Sequence, residues 1–169
     1  GKIYNGRKVI ERSSRDHALL MDINQLSDTS RSLKEILRQI TTCKTNAEIM
    51  GLEGMAAKLY FGQFDQLILQ QKEDFFFLER SRRPPMDNVN ALLSYLYTLL
   101  TFEVTSALEA VGLDPYIGFL HQDRPGRPSL ALDLVEELRP VFADRLALSL
   151  INRKQITAAG FKTKESGGI

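Results

Sequence analysis

Residues 87–112 read DNVNALLSYLYTLLTFEVTSALEAVG, and this stretch decides the fold. Val89, Leu92, Leu93, Leu96, Leu100, Val104 and Leu108 recur mostly three and four residues apart, which puts them on one face of a helix. Asp87 can accept a hydrogen bond from the first turn as an N-cap, and Gly112 stands where a left-handed residue closes the last turn. A long apolar-faced helix in the middle of the chain needs partners of the same kind, and the flanking sequence supplies them.

Downstream, residues 113–128 hold three prolines and, counting Gly112, three glycines, so they form a connection. Ser129 is placed to cap the next helix, which Pro140 ends or kinks, and the apolar stretch Val141 to Ile151 is helical again. Upstream, Phe75 to Pro85 breaks the periodicity, because the two closing prolines disfavour helix before them; the three phenylalanines make it a loop with an apolar anchor. Leu26, Leu33, Ile36, Leu37 and Ile40 form one helical stripe. Thr45 and Glu48 form a capping-box pattern that opens a helix running through Met50, Glu53, Ala57 and Tyr60 towards Phe64 and beyond. Period-two alternation is scarce, and neither an internal repeat nor a low-complexity segment is present. The expectation is an all-α, bundle-like domain of about six helices over residues 1–169.

Composition narrows the function classes. With 43% hydrophobic and 25% charged residues the chain has an ordinary globular balance, so overall disorder is not indicated. The net charge of +1 means that a nucleic-acid binder must gather its positive residues on one face. The single cysteine, Cys43, excludes an internal disulfide and any multi-cysteine zinc site, and it suits a reducing compartment. No uninterrupted apolar run approaches the roughly 18 residues of a membrane span, so a cytoplasmic location is expected. Gly1-Lys2-Ile3-Tyr4 carries no initiator methionine, and Lys164 to Ile169 shows no helix-terminating pattern, so an excised domain truncated at both ends is expected.

Chemistry-bearing residues fall in three segments. Glu53 lies among apolar residues between Gly51 and Gly54, each of which costs a helix interior roughly 1 kcal/mol relative to alanine. Two such glycines point either to a close approach of something to the backbone or to a tight helix crossing with Glu53 at its rim. Asp133 lies three residues before Glu136 and four before Glu137, so the acids share a helix face. They either need a cation to compensate them or form a solvated acidic face paired with Arg139. His121 ends the apolar run Tyr116 to Leu120 and is either a satisfied core histidine or the imidazole of a site completed by these acids. Mixed nitrogen and carboxylate ligation of that kind suits Mn²⁺, tolerates Mg²⁺, and leaves positions open for water and phosphate. The other histidine, His17, reads as a surface residue. Arg80, Arg82 and Arg83, then Arg124 and Arg127, then Arg153 and Lys154, are candidates for phosphate contacts or for ordinary surface solubility. No glycine-rich phosphate loop is present, and Cys43 has no evident base beside it.

These segments resemble one known family, the CRISPR-associated spacer-acquisition integrases, or "Cas-one" endonucleases. Gly51-Leu52-Glu53-Gly54 followed by Ala56-Ala57 and Tyr60-Phe61 is similar to the first metal-ligand motif of that family. Arg82 to Ser94 resembles the segment leading into its central helix, Gly112 to His121 its histidine motif, and Arg127 to Glu136 its acidic-helix motif. The four motifs stand in the family's order and spacing, and the match covers most of residues 20–165. The resemblance implies that Glu53, His121 and Glu136 bind Mg²⁺ or Mn²⁺, with Asp133 as an auxiliary acid. It implies double-stranded DNA as substrate, both protospacer and CRISPR repeat, whose 3′-hydroxyl ends are joined. It also implies homodimerisation of the full-length protein, a small CRISPR-associated partner protein, and an amino-terminal β-rich domain that this sequence lacks. Two alternatives stay open: a non-catalytic DNA-binding scaffold of the same assembly, and an unrelated helical interaction domain in which Glu53, His121 and Glu136 lie far apart.

Overall fold

A computed structural model describes residues 1–120 and 125–162. Among the described residues six α-helices carry the fold: α1 (Lys2–Asp16), α2 (Ile23–Ile40), α3 (Asn46–Gly62), α4 (Asn88–Ala110), α5 (Ser129–Leu138) and α6 (Arg145–Asn152). No strand forms among the described residues, so the all-α expectation holds. Helix α1 packs on α2, α3 and α5, and α4 packs on α5 and α6. Ile10, Leu26, Leu33, Phe64, Phe75, Leu93 and Ile151 are fully buried where these helices meet.

Helix α4 begins and ends as its sequence dictates. Asp87 Oδ1 accepts from the Asn90 N–H at 2.7 Å. At the other end Gly112 has φ +78°, and Leu113 N–H reaches Leu108 O at 2.9 Å while Gly112 N–H reaches Glu109 O at 3.0 Å. That pair of bonds satisfies carbonyls the helix would otherwise leave open. By length and composition α4 would also suit a membrane. Its inner face buries Val89, Leu93, Tyr97 and Leu108, while Tyr95 and Phe102 are exposed on the outer one.

Two expectations need correction, and one helix was not foreseen. Helix α3 opens at Thr45, whose side chain accepts from Glu48 N–H at 3.2 Å, but it stops at Gly62 and does not continue past Phe64. A tighter 3-10 turn follows at Asp65–Leu67, and Phe64, Leu67 and Ile68 are buried in the core. Ser129 is the first residue of α5 and not its cap. The Pro115 carbonyl accepts from Leu130 N–H at 2.9 Å instead, so the preceding connection caps the helix. Helix α1 was not legible at all: its buried positions Ile3, Gly6, Val9 and Ile10 sit in a run dominated by charged and polar residues. Pro140 acts as expected, ending α5 and opening one π-helical turn, Pro140–Asp144, before α6. There Asp144 N–H bonds to Arg139 O at 3.0 Å, five residues back.

Candidate functional site

Helices α3 and α5 each bring one glutamate to the same pocket. It is lined by Glu53 and Ala57 of α3, Glu136 of α5, Lys2 and Ile3 of α1, Tyr97 of α4, and by Arg82, Arg139 and Asp144. An adjoining cleft shares Arg82, Tyr97, Glu136 and Arg139 with it and adds Arg80, Arg83 and Arg127. Two glutamates thus sit where a pocket of mixed charge opens into an arginine-lined groove. Among the described residues no three potential ligands cluster as a metal site. His121, the third ligand that the family resemblance implies, lies outside the described residues, as does Arg124.

Glu136 is held charged. Its Oε1 accepts from Arg139 Nη1, and Lys2 Nζ lies 2.5 Å from its Oε2. Burial pushes its carboxyl up, but Arg139, Lys2 and Arg82 together outweigh that and hold it below the usual carboxylate value. The pairing with Arg139 is present, but the solvated acidic face gives way to a largely buried acid with Lys2 as a second cationic partner. Asp133 has a different task. It is buried, and its Oδ2 accepts from Phe119 N–H at 2.8 Å and Leu120 N–H at 3.0 Å. It ties the connection to α5 immediately before His121. The tight crossing considered for Gly51 and Gly54 does not occur: no atom of the described residues would come within 4 Å of a Cβ at either position.

Beneath Glu136 lies a network the sequence reading overlooked. Asp144 is 1% exposed and accepts from Tyr97 Oη at 2.6 Å and from Tyr60 Oη at 3.0 Å. The Arg139 guanidinium lies 4.6 Å from the centre of the Tyr97 ring, so the arginine that pairs with Glu136 also rests on a tyrosine anchored to a buried acid. Asp144 had a visible signal, a lone acid in the apolar run 141–151. Lys2 had none, because α1 itself was not read.

The arginine-bearing loop is held by one residue. Asn90, fully buried, accepts from Ser81 N–H at 3.1 Å and from Arg80 Nη1 at 2.6 Å, and donates to Glu79 O at 2.8 Å and Asp87 Oδ2 at 2.6 Å. Burial lowers the pKa of the Arg80 guanidinium, and Arg82 and Arg139 nearby add to that. Such crowding of cations favours an anion in the cleft. Asn90→Ala leaves several of these buried groups unpaired and is expected to cost roughly 2–4 kcal/mol in denaturant unfolding, a change an Asn90→Asp protein would only partly reproduce.

Not every basic candidate joins this groove. Arg82, Arg83 and Arg127 line it, whereas Arg153 lines a separate cleft with Arg12, His17 and Arg145. Lys154 follows the end of α6 in the left-handed region at φ 55° and lines neither the pocket nor the groove. The single cluster expected from net charge is thus divided.

Fold and site together define a helical domain with paired glutamates under an arginine-lined cleft. The chain belongs to the Cas1 family: the family model described as CRISPR associated protein Cas1 matches residues 1–169. It is 53% identical to the CRISPR-associated endonuclease Cas1 2 of Rhodospirillum rubrum, covering all of this chain and 50% of that protein. It is 50% identical to the CRISPR-associated endonuclease Cas1 1 of Chlorobaculum tepidum, covering all of this chain and 49% of that protein. The chain thus spans about half the length of these curated relatives. Among solved structures it is similar to a casposase bound to integration product, with 32% identity and a TM-score of 0.72 over 97% of this chain and 44% of that one. It is also similar to a Cas6-RT-Cas1–Cas2 complex, with 29% identity and a TM-score of 0.81 over 96% of this chain and 17% of that one.

Proposed function

We propose that this chain is the catalytic helical domain of a divalent-metal-dependent DNA endonuclease and integrase that joins protospacer 3′-hydroxyl ends to a CRISPR repeat. The observation that carries the reading is the shared wall of the two cavities: Glu136, Arg82, Tyr97 and Arg139 face both the glutamate pocket and the arginine groove. Acids that bind a cation and arginines that bind phosphate thereby meet at one boundary. The interaction-domain alternative required the site acids to lie far apart, and Glu53 and Glu136 line one pocket.

The donor set fits Mg²⁺ or Mn²⁺. Glu53 and Glu136 offer hard carboxylate oxygens, and His121 is assigned as the third ligand on the family resemblance. When bound, the ion would polarise the phosphodiester and stabilise charge on the leaving oxygen. The chain's own residues do the rest. Arg82, Arg83 and Arg127 grip the DNA backbone, Arg139 keeps Glu136 charged, and Asp133 positions the connection that leads to His121. The complete protein acts as a homodimer with a small CRISPR-associated partner, in the cytoplasm. The solved neighbours support the partner protein and the DNA: one is a Cas6-RT-Cas1–Cas2 complex and another is a casposase bound to integration product.

The direct experiment is a Mn²⁺ soak of crystals with anomalous scattering. A peak between Glu53 and Glu136, with carboxylate oxygens about 2.0–2.3 Å away, is the expected result; no peak at saturating metal contradicts it. The groove makes a second forecast. Duplex DNA binding should weaken steeply with salt, and each of Arg82→Ala, Arg83→Ala and Arg127→Ala should reduce the slope of log K against log salt by about one. Binding that hardly changes between low and moderate salt contradicts the reading.

A further inference from the structure

Glu136 has two cationic partners, and they are not alike. Arg139 is locked: its side chain is 13% exposed, its guanidinium lies against the Tyr97 ring, and Tyr97 in turn donates to the buried Asp144. Lys2 is the looser one, with 27% side-chain exposure and a flexible four-carbon stem. It reaches Glu136 because α1 packs against α5, where Asn5 Nδ2 donates to Glu137 O at 2.9 Å. The Lys2 ammonium lies 2.5 Å from Glu136 Oε2, and Lys2 and Glu53 line the same pocket.

Two glutamates and three cations, Lys2, Arg82 and Arg139, therefore share the pocket. A divalent ion that enters it meets the repulsion of all three. Arg139 cannot leave the tyrosine without exposing a buried network. Lys2 can swing away at little cost.

Resting on the metal reading above, we propose that Lys2 is the exchangeable counter-cation of this centre: its ammonium holds Glu136 when no divalent ion is bound and gives way when one binds. Lys2 is then a positioning residue that keeps the glutamate ordered in the metal-free protein and sets how tightly the ion is held.

The test measures Mn²⁺ dissociation constants by electron paramagnetic resonance on the metal-free full protein, without DNA and without reference to activity. Lys2→Gln, which removes the charge and keeps the stem, is expected to bind Mn²⁺ roughly tenfold more tightly than the parent, since the ion no longer has to displace the ammonium from Glu136. Lys2→Arg, whose planar fork grips Glu136 harder, is expected to bind Mn²⁺ about threefold more weakly. Introduced into a Glu136→Gln protein, Lys2→Gln should change the constant less than about twofold, because the competition has lost its object. Lys2→Gln binding no tighter than the parent, or Lys2→Arg binding as tightly as Lys2→Gln, overturns the proposal while the metal centre stands. A Glu136→Gln protein that binds Mn²⁺ as well as the parent instead removes the metal centre itself. Circular dichroism on each variant confirms that α1 is still folded, and the Lys2→Arg arm holds even if Lys2→Gln is not.

Discussion

Glu53→Ala and Glu136→Ala proteins, each in the full protein with its partner, are expected to cut and join DNA roughly 10³- to 10⁵-fold more slowly than the parent. A bound divalent ion supplies several kcal/mol of charge stabilisation, and each 1.36 kcal/mol is tenfold in rate. Folding should survive at Glu53, because it is only half-buried on α3 and its carboxylate has no hydrogen-bond partner among the described residues that the change would orphan. Glu136 is the more demanding site: its loss leaves Arg139 and Lys2 facing each other across the pocket. Glu136→Gln is the gentler control there. Duplex DNA binding should hold or tighten in all three, since a negative charge has left the edge of the arginine groove. The measurement is strand transfer under single-turnover conditions beside an equilibrium binding curve. A Glu53→Ala protein that joins ends at the parental rate leaves only the scaffold reading.

The second large effect lies in the buried network. Burial raises the Asp144 carboxyl from 3.8 to about 6, against the pull of the two tyrosine hydrogen bonds and of Arg139 and Arg80. The folded state therefore holds this proton more readily than the unfolded chain. The stabilisation that comes with it is complete below about pH 4 and is lost as the pH rises through about 6, on the order of 2–3 kcal/mol across that window. Asp144→Asn removes the titration and can still accept from one tyrosine and donate to the other. Denaturant unfolding of the two proteins at pH 4 and pH 7.5 should show the variant gaining on the parent by that amount at the higher pH. Parallel pH profiles contradict the assignment. Asp144→Ala is expected to cost roughly 3–5 kcal/mol at pH 4, because both tyrosine hydroxyls are left buried and unpaired, and about 2–3 kcal/mol less at pH 7.5, where the parent has lost its own stabilisation. Against the 5–15 kcal/mol of a typical domain that is a large share. Tyr97 would also lose the anchor that holds it under Arg139, so DNA chemistry should weaken with stability.

Local rules made much of this molecule legible. Asp87, Thr45 and Gly112 each set a helix end by their own backbone or side-chain chemistry, and the stripes on α2 and α4 needed only helical periodicity. Glu53 was singled out as an acid among apolar residues between two glycines, and Glu136 because it shares a helix face with Asp133, where like charges repel. Helix α1 escaped because its apolar residues are few and spaced by charges, so its helicity depends on α2, α3 and α5 being there to bury Ile3, Val9 and Ile10. The start of α5 was misplaced by one residue for a similar reason, since its cap is the Pro115 carbonyl, brought in from a connection fourteen residues away.

What the sequence determined by itself is therefore the all-α class, the helix ends at Thr45, Asp87, Gly112 and Pro140, and the candidate acids Glu53 and Glu136, because capping, turn chemistry and periodicity act between residues a few positions apart. Only the tertiary structure decided that Glu53 and Glu136 share a pocket, that Lys2 and Arg139 hold Glu136 from opposite kinds of anchorage, and that Asp144 lies beneath them between two tyrosines. It also divided the basic residues, giving Arg82, Arg83 and Arg127 to the groove and Arg153 to another cleft. Electrostatic partners are set by distance in space, and in a bundle of short helices that distance depends on packing angles that no local pattern encodes.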